Sequence, residues 1–268
     1  MRRLARRHAD RLGPLVERDF RLLFGATTIT TIGDRLAIIA LAFAVIDLPG
    51  GSATDLGFVL AARQVAEAAV LLGGGVLSDR LPRNLVLVGA SLIQAAAQAL
   101  TAALVLSGSA TVLLLVGLQV LYGVGGGLVI PAEVGLVPQI VSPGRLQQAN
   151  ALQGLSRNIV GVLGPAVGGA LVVAGSPGVA LAVDAASFLV CASLLAAIRV
   201  PARVEGAGRP NFVRELREGW REFTSRTWLW STVLLFGIGN LAFAVWPVLG
   251  PVISEERLGG AGEPGRRS

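Results

Sequence analysis

The chain has 268 residues, 53% of them hydrophobic and only 15% charged, with 35 glycines and a formal net charge of +6. Soluble domains carry about 25% charged residues, so this composition excludes one. All 23 basic residues are arginine, since the sequence holds no lysine. That removes the Gly-x-x-x-x-Gly-Lys-Ser/Thr phosphate loop and every chemistry that needs a lysine. The lone His8 and lone Cys191 leave no means to build a histidine-rich metal site, an internal disulfide or a Ser-His-Asp triad. The expectation is a protein that is not an enzyme and holds no metal or cofactor.

The first 21 residues form a basic tail with seven arginines, from Arg2 to Arg21. Beside an apolar run, such a tail points to anionic lipid rather than nucleic acid. Seven apolar runs long enough to cross a bilayer follow: 22–46, 56–77, 85–106, 111–132, 155–174, 178–198 and 228–249. They are too long and too evenly apolar for barrel strands, so the fold class is an all-α, polytopic helical membrane protein. The first run is also too long for a cleaved secretory signal, and it carries Asp34 and Arg35 in its middle. Residues 22–198 hold the first six runs and 199–227 a polar linker. A seventh span at 228–249 and a tail at 250–268 complete the division.

Orientation follows the arginines. The tail, the segments between runs 2 and 3 (Arg80, Arg83) and between 4 and 5 (Arg145), and the seven arginines from Arg199 to Arg226 form one set. The loops after runs 1, 3 and 5 hold none. The N-terminus and the even-numbered loops are therefore expected in the cytoplasm. In the linker, Asn211 is a plausible N-cap, and Phe212, Leu216, Trp220 and Phe223 recur at helical spacing. This predicts an amphipathic helix on the cytoplasmic membrane face.

Charged residues inside spans are the strongest functional pointers in such a sequence. Asp34 and Arg35 together cost about 5–7 kcal/mol on the insertion scale. The eleven Leu, Ile, Val and Phe residues of Leu23–Ile46 return about 3–6 kcal/mol. A span so nearly balanced needs its charges to face a polar cavity or a partner helix. Arg63 and Glu67 lie four residues apart on one helical face, placed to neutralise each other or to serve transport. Arg157 sits where it can snorkel to the interface, and Asp184 has no obvious local partner. Gln94, Gln98, Gln119 and Tyr122 add hydrogen-bonding groups, of the kind that hold helices together. Gly73–Gly75, the run from Gly123 to Gly127 and Gly164-Pro165-x-x-Gly168-Gly169 read as close helix packing and bending.

Two spacings carry a family signal. Gly75-Val-Leu77-Ser-Asp79-Arg80-Leu-Pro-Arg83 resembles the Gly-x-Leu-x-Asp-Arg-x-Gly-Arg loop of the major facilitator superfamily. Gly164-Pro165-Ala-Val-Gly168-Gly169 resembles the signature of its antiporter branch. The stretch from Val129 through Pro138 and Pro143 to Asn150 is similar to a bacterial subgroup that includes drug and siderophore exporters. The resemblance implies two six-helix halves of 3+3 inverted repeats with substrate held between them. It implies export of small amphipathic molecules by alternating access, with a proton gradient as the energy source. Gly75, Asp79, Arg80 and Arg83 would form the conformational-switch loop. Asp34 is the leading proton-coupling candidate, with Arg35, Arg63, Glu67, Gln119, Tyr122, Asp184 and Asn240 as further cavity candidates. Ile238-Gly239-Asn240 echoes Ile32-Gly33-Asp34, the corresponding stretch of the first span. Pro82 replaces the loop's usual glycine, and Gln119 stands where the family often has arginine. The family has about twelve spans and this chain seven, so truncation is expected. The alternative to a transporter is then a transport-incompetent fragment with at most a structural or interaction role.

Overall fold

The structure, a computed structural model, describes residues 13–200 and 212–239, with the side chains of 72–80 and of scattered positions between 165 and 219 outside that description. The described residues are almost wholly helical, without strands. Six long helices form the first unit: α1 (Arg18–Ile46), α2 (Ala53–Arg80), α3 (Arg83–Leu106), α4 (Val112–Ile140), α5 (Leu146–Ala174) and α6 (Pro177–Ala196). The shortest, α6, has 20 residues, and 20 residues of α-helix span about 30 Å, the thickness of the hydrocarbon core. By length and composition α1, α3, α4 and α6 are apolar enough to cross a membrane.

Local chemistry explains the ends. Ser52 and Asp55 cap the start of α2 reciprocally: Ser52 N–H donates to Asp55 Oδ2 at 3.0 Å, and Asp55 N–H to Ser52 Oγ at 3.2 Å. Thr111 accepts from Leu114 N–H at 3.4 Å and Ser176 from Val179 N–H at 3.3 Å, opening α4 and α6. The turns at Gly50 and Gly108 use φ of 75° and 68°, which glycine adopts without a Cβ penalty. Within α1, Thr27, Thr30 and Thr31 return their hydroxyls to carbonyls three or four residues back, so a threonine-rich stretch stays helical with no hydroxyl stranded.

Two helices depart from the apolar runs. α4 runs through Pro131 and continues eight residues past Ala132, through Pro138, and α5 begins at Leu146 rather than 155. Hydropathy marks where a helix leaves lipid, whereas hydrogen bonding carries it further. For the same reason the loop between spans 2 and 3 shrinks to Leu81 and Pro82. Gly75, Asp79 and Arg80 belong to the last turns of α2, and Arg83 opens α3.

The packing order is α2, α4, α3, α6, α1, α5, each helix seated mainly on its neighbours in that series. Exchanging α1–α3 for α4–α6 turns the series into its own reverse. Successive spans alternate in direction, so a shift of three inverts the helix. The bundle therefore has the internal arrangement of two inverted three-helix repeats. Large apolar side chains face outward, with Leu113 81% and Val162 77% exposed, while Gln98, Thr101, Gln119 and Asp184 are buried. That is the reverse of a water-soluble bundle and suits a lipid surround.

Inside, two apolar layers lie at opposite ends. One joins Phe20 and Leu23 of α1, Val86 and Leu87 of α3, Leu136 of α4 and Leu195 of α6. The other joins Leu41 and Val45 of α1, Val59 of α2, Leu115 of α4 and Leu181 of α6. Between them sits a polar layer.

The second unit, described by itself, holds α7 (Phe212–Ser225) and a helix α8 (Thr227–Gly239). A helix begins at Phe212, one residue after Asn211, which itself lies outside the described residues. Trp220 and Phe223 have ring centroids 5.7 Å apart, and Arg226 pairs with Glu222 at 2.6 Å. Of the expected seventh span, 228–239 is helical, and 240–249 lies outside the described residues, as do the tail at 250–268 and residues 1–12.

Candidate functional site

The polar layer is built from one side chain or more on each of α1, α2, α3, α4 and α6. Asp34 of α1 is its hub. Arg63 of α2 donates from Nη2 to Asp34 Oδ1 at 3.2 Å, and the Tyr122 hydroxyl of α4 donates to the same oxygen. The Arg63 guanidinium carbon stands 4.1 Å from the centre of the Tyr122 ring, so the cation meets a carboxylate on one side and a π-face on the other. Tyr122 is 1% exposed and meets Phe188 of α6 edge-on, with ring centroids 5.6 Å apart.

Beside this hub lies Asp184 of α6, fully buried. Gln98 of α3 donates from Nε2 to its Oδ2 at 2.8 Å, and Ser187 Oγ stands 3.3 Å from its Oδ1. The local partner that Asp184 lacks in sequence is supplied by Ser187 one turn on and Gln98 from another helix. Gly33, next to Asp34, makes the approach of α1 to α6 possible: a Cβ there would overlap Asp184 Oδ1 and stand 2.5 Å from Ser187 Oγ. Gly123 and Gly127 serve α4 against α2 in the same way. A Cβ on Gly127 would stand 2.6 Å from the Glu67 carbonyl and 2.7 Å from Val70 Cβ.

A cavity of about 220 Å³ opens from the hub toward the end of the bundle where α1 begins. Its wall includes Asp34, Arg63, Glu67, Gln94, Glu133, Gln153 and Arg157, with threonines of α1 and the apolar faces of Val129, Ile130 and Phe188. Glu133 of α4 accepts from Gln153 Nε2 at 2.9 Å and pairs with Arg157 Nη1 at 3.5 Å, both from α5. Thr28 of α1 and Ser156 of α5 share a hydrogen bond of 2.9 Å. The cavity is thus walled by both inverted repeats, with charged and apolar side chains both in its lining.

The candidate residues divide plainly. Asp34, Arg63, Tyr122 and Asp184 come together, and Glu67 borders the same cavity. Arg63 does not pair with Glu67; it reaches α1 instead. Glu67 makes no ion pair or hydrogen bond among the described residues. Arg35 turns away from its neighbour and lays its stem on Gly164 of α5, where a Cβ would stand 2.5 Å from Arg35 Cβ. Gln119 is 2% exposed, with Oε1 unbonded among the described residues. Arg157 lies in the first half of α5, is 57% exposed and pairs with Glu133 at 3.5 Å. Arg83 lays its guanidinium over Gly135 of α4. The side chains of Asp79, Arg80, Pro165, Gly168 and Gly169, with Gly75, and the whole of Asn240 lie outside the described residues.

Sequence reasoning missed Glu133 and Gln153. Glu133 falls one residue beyond the apolar run that ends at Ala132. The signal was available in Glu133 and Arg157 together, an acid and a base in flanking runs whose helices both overshoot the lipid-facing stretch.

A family model described as a transmembrane secretion effector matches residues 9–264. No curated protein matches the chain. A charged polar layer between apolar ends, inverted three-helix repeats and a match across nearly the whole sequence agree, and the chain belongs to the transmembrane secretion effector family of major facilitator transporters.

Proposed function

We propose that the protein exports small amphipathic molecules by alternating access, driven by proton antiport. The observation that carries this reading is the cluster of Asp34, Arg63 and Tyr122 beside an open polar cavity in an apolar bundle. Three helices from both repeats converge on one carboxylate oxygen. Protonating Asp34 removes the charge that holds Arg63 and so loosens the tie between α1 and α2. A ligand or proton arriving there changes which helices are held together, which is what coupling requires. The apolar side chains in the lining suit the greasy part of an amphipathic solute. We further propose that the N-terminus faces the cytoplasm, from the arginine distribution, and that the membrane is a bacterial inner membrane, from the resemblance to bacterial exporters.

The test is accumulation of a panel of fluorescent amphipathic dyes in bacteria expressing the chain. Lower accumulation than in vector controls is expected, abolished by a protonophore and by Asp34→Asn. Dye levels equal to vector for the whole panel would overturn the export reading. Efflux unchanged in Asp34→Asn would remove Asp34 from the coupling.

A further inference from the structure

We infer that the cavity takes a monovalent organic cation, such as a protonated or quaternary amine, with Glu67 as its counter-ion and Gln94 as a hydrogen-bonding neighbour. The inference rests on the export reading for its context and on the cavity's own charge balance for its content. Five charged side chains border the cavity among the described residues: the carboxylates of Asp34, Glu67 and Glu133 and the guanidiniums of Arg63 and Arg157. Arg63 is committed to Asp34 at 3.2 Å and Arg157 to Glu133 at 3.5 Å. Glu67 is left, one negative charge without an ion pair or hydrogen bond among the described residues. Arg63 lies one turn away, but its guanidinium is turned to Asp34 and stacked on Tyr122.

A second, independent observation points the same way. Gln94 is 5% exposed, lines the cavity, and has no side-chain hydrogen bond among the described residues. Its amide atoms are not sealed in the bundle but open onto the cavity, where a bound solute can pair with them. Directly beside Glu67 is the bare backbone of Gly126; a Cβ there would sit 3.4 Å from the Glu67 carboxyl carbon. The glycine therefore leaves room beside the free charge. The aromatic and aliphatic groups of the lining, Phe188 among them, favour a cation with an apolar body over a hydrated metal ion. An anionic solute would meet a carboxylate that makes no ion pair among the described residues.

The experiment uses the full chain, purified into lipid nanodiscs, and radiolabelled benzyltrimethylammonium. Saturable binding is expected. Neopentylbenzene, the uncharged isostere, and benzenesulfonate, an anion, should compete at least about tenfold more weakly than the unlabelled cation. Glu67→Gln should weaken cation binding by at least about tenfold, and Glu67→Asp by less, in proteins that melt as the parent does. No saturable binding by the parent chain overturns the inference. So does equal competition by the neutral isostere, or unchanged affinity in folded Glu67→Gln. Binding needs no turnover, so the two readings fail separately. Cation binding without dye efflux removes the export reading and leaves this one standing. Efflux of neutral or anionic dyes without cation binding removes this one alone.

Discussion

Arg63 bypasses the glutamate one helical turn away on its own helix and binds Asp34 of α1, with Nη2 and Oδ1 3.2 Å apart. Their side chains are 16% and 30% exposed, respectively, so water screens the pair only in part. Removing one partner leaves the other charge partly buried and unmatched. Asp34→Ala and Arg63→Ala should therefore each destabilise the bundle by about 1–3 kcal/mol, and the double variant by less than their sum. Cys191 supplies the readout. It is the sole cysteine and is 4% exposed, so a thiol-reactive dye reports melting of the bundle directly. A double variant showing the full sum would mean that the pair contributes nothing to stability.

The glycines make a sharper test, because they differ in what surrounds them. Gly33→Ala places a Cβ against Asp184 and Ser187, at the seam of α1 and α6. It should cost about 1–3 kcal/mol by forcing the two helices apart. Gly89→Ala, on α3, meets nothing within 4 Å. It should be neutral or stabilise by up to about 1 kcal/mol through helix propensity. Equal melting shifts in the two variants would contradict the close approach at Gly33.

These positions also show what the sequence made legible. Charge inside an apolar run was enough to single out Asp34, Arg63 and Asp184, because lipid penalises any charge it touches. The partners were not legible. Helical spacing offered Glu67 to Arg63, whereas the observed carboxylate comes from 29 residues away on another helix. Gln98 and Asp184 meet across 86 residues, and no local period encodes that. The glycines were readable as packing residues, but which neighbour each admits depends on the order of helices in the bundle. Glu133 was lost to a boundary: hydropathy ended the span where lipid ends, and the helix did not.

Glu17, just before α1, ties that helix to the turn between α4 and α5. It accepts from Ser142 N–H at 3.0 Å, from Ser142 Oγ at 2.7 Å and from Arg145 Nη1 at 3.4 Å. Two of the three bonds do not depend on Arg145's charge, so salt should weaken the contact only slightly. Glu17→Ala should lower stability by about 1–3 kcal/mol, and Glu17→Gln, which keeps one acceptor, by about half of that. Thiol-dye melting at low and high salt checks both statements. A parent protein whose melting falls steeply with salt would assign the contact to Arg145 instead.

The buried pair of Asp184 and Gln98 separates charge from hydrogen bonding. Gln98 Nε2 donates to Asp184, while Gln98 Oε1 has no partner among the described residues. Asp184→Asn keeps an acceptor for that donor in nearly the same volume, so its melting should stay within about 0.5 kcal/mol of the parent's. Asp184→Leu fills the space but strands the whole Gln98 amide in an apolar interior, at a cost of about 1–3 kcal/mol. Replacing both residues by leucine removes donor and acceptor together, and stability should return most of the way, since a polar pair in a membrane bundle contributes only about 0.6–2 kcal/mol. If Asp184→Asn melts as low as Asp184→Leu, the carboxylate's charge is what the bundle requires. Gln98 would then be its solvator rather than its hydrogen-bonded equal.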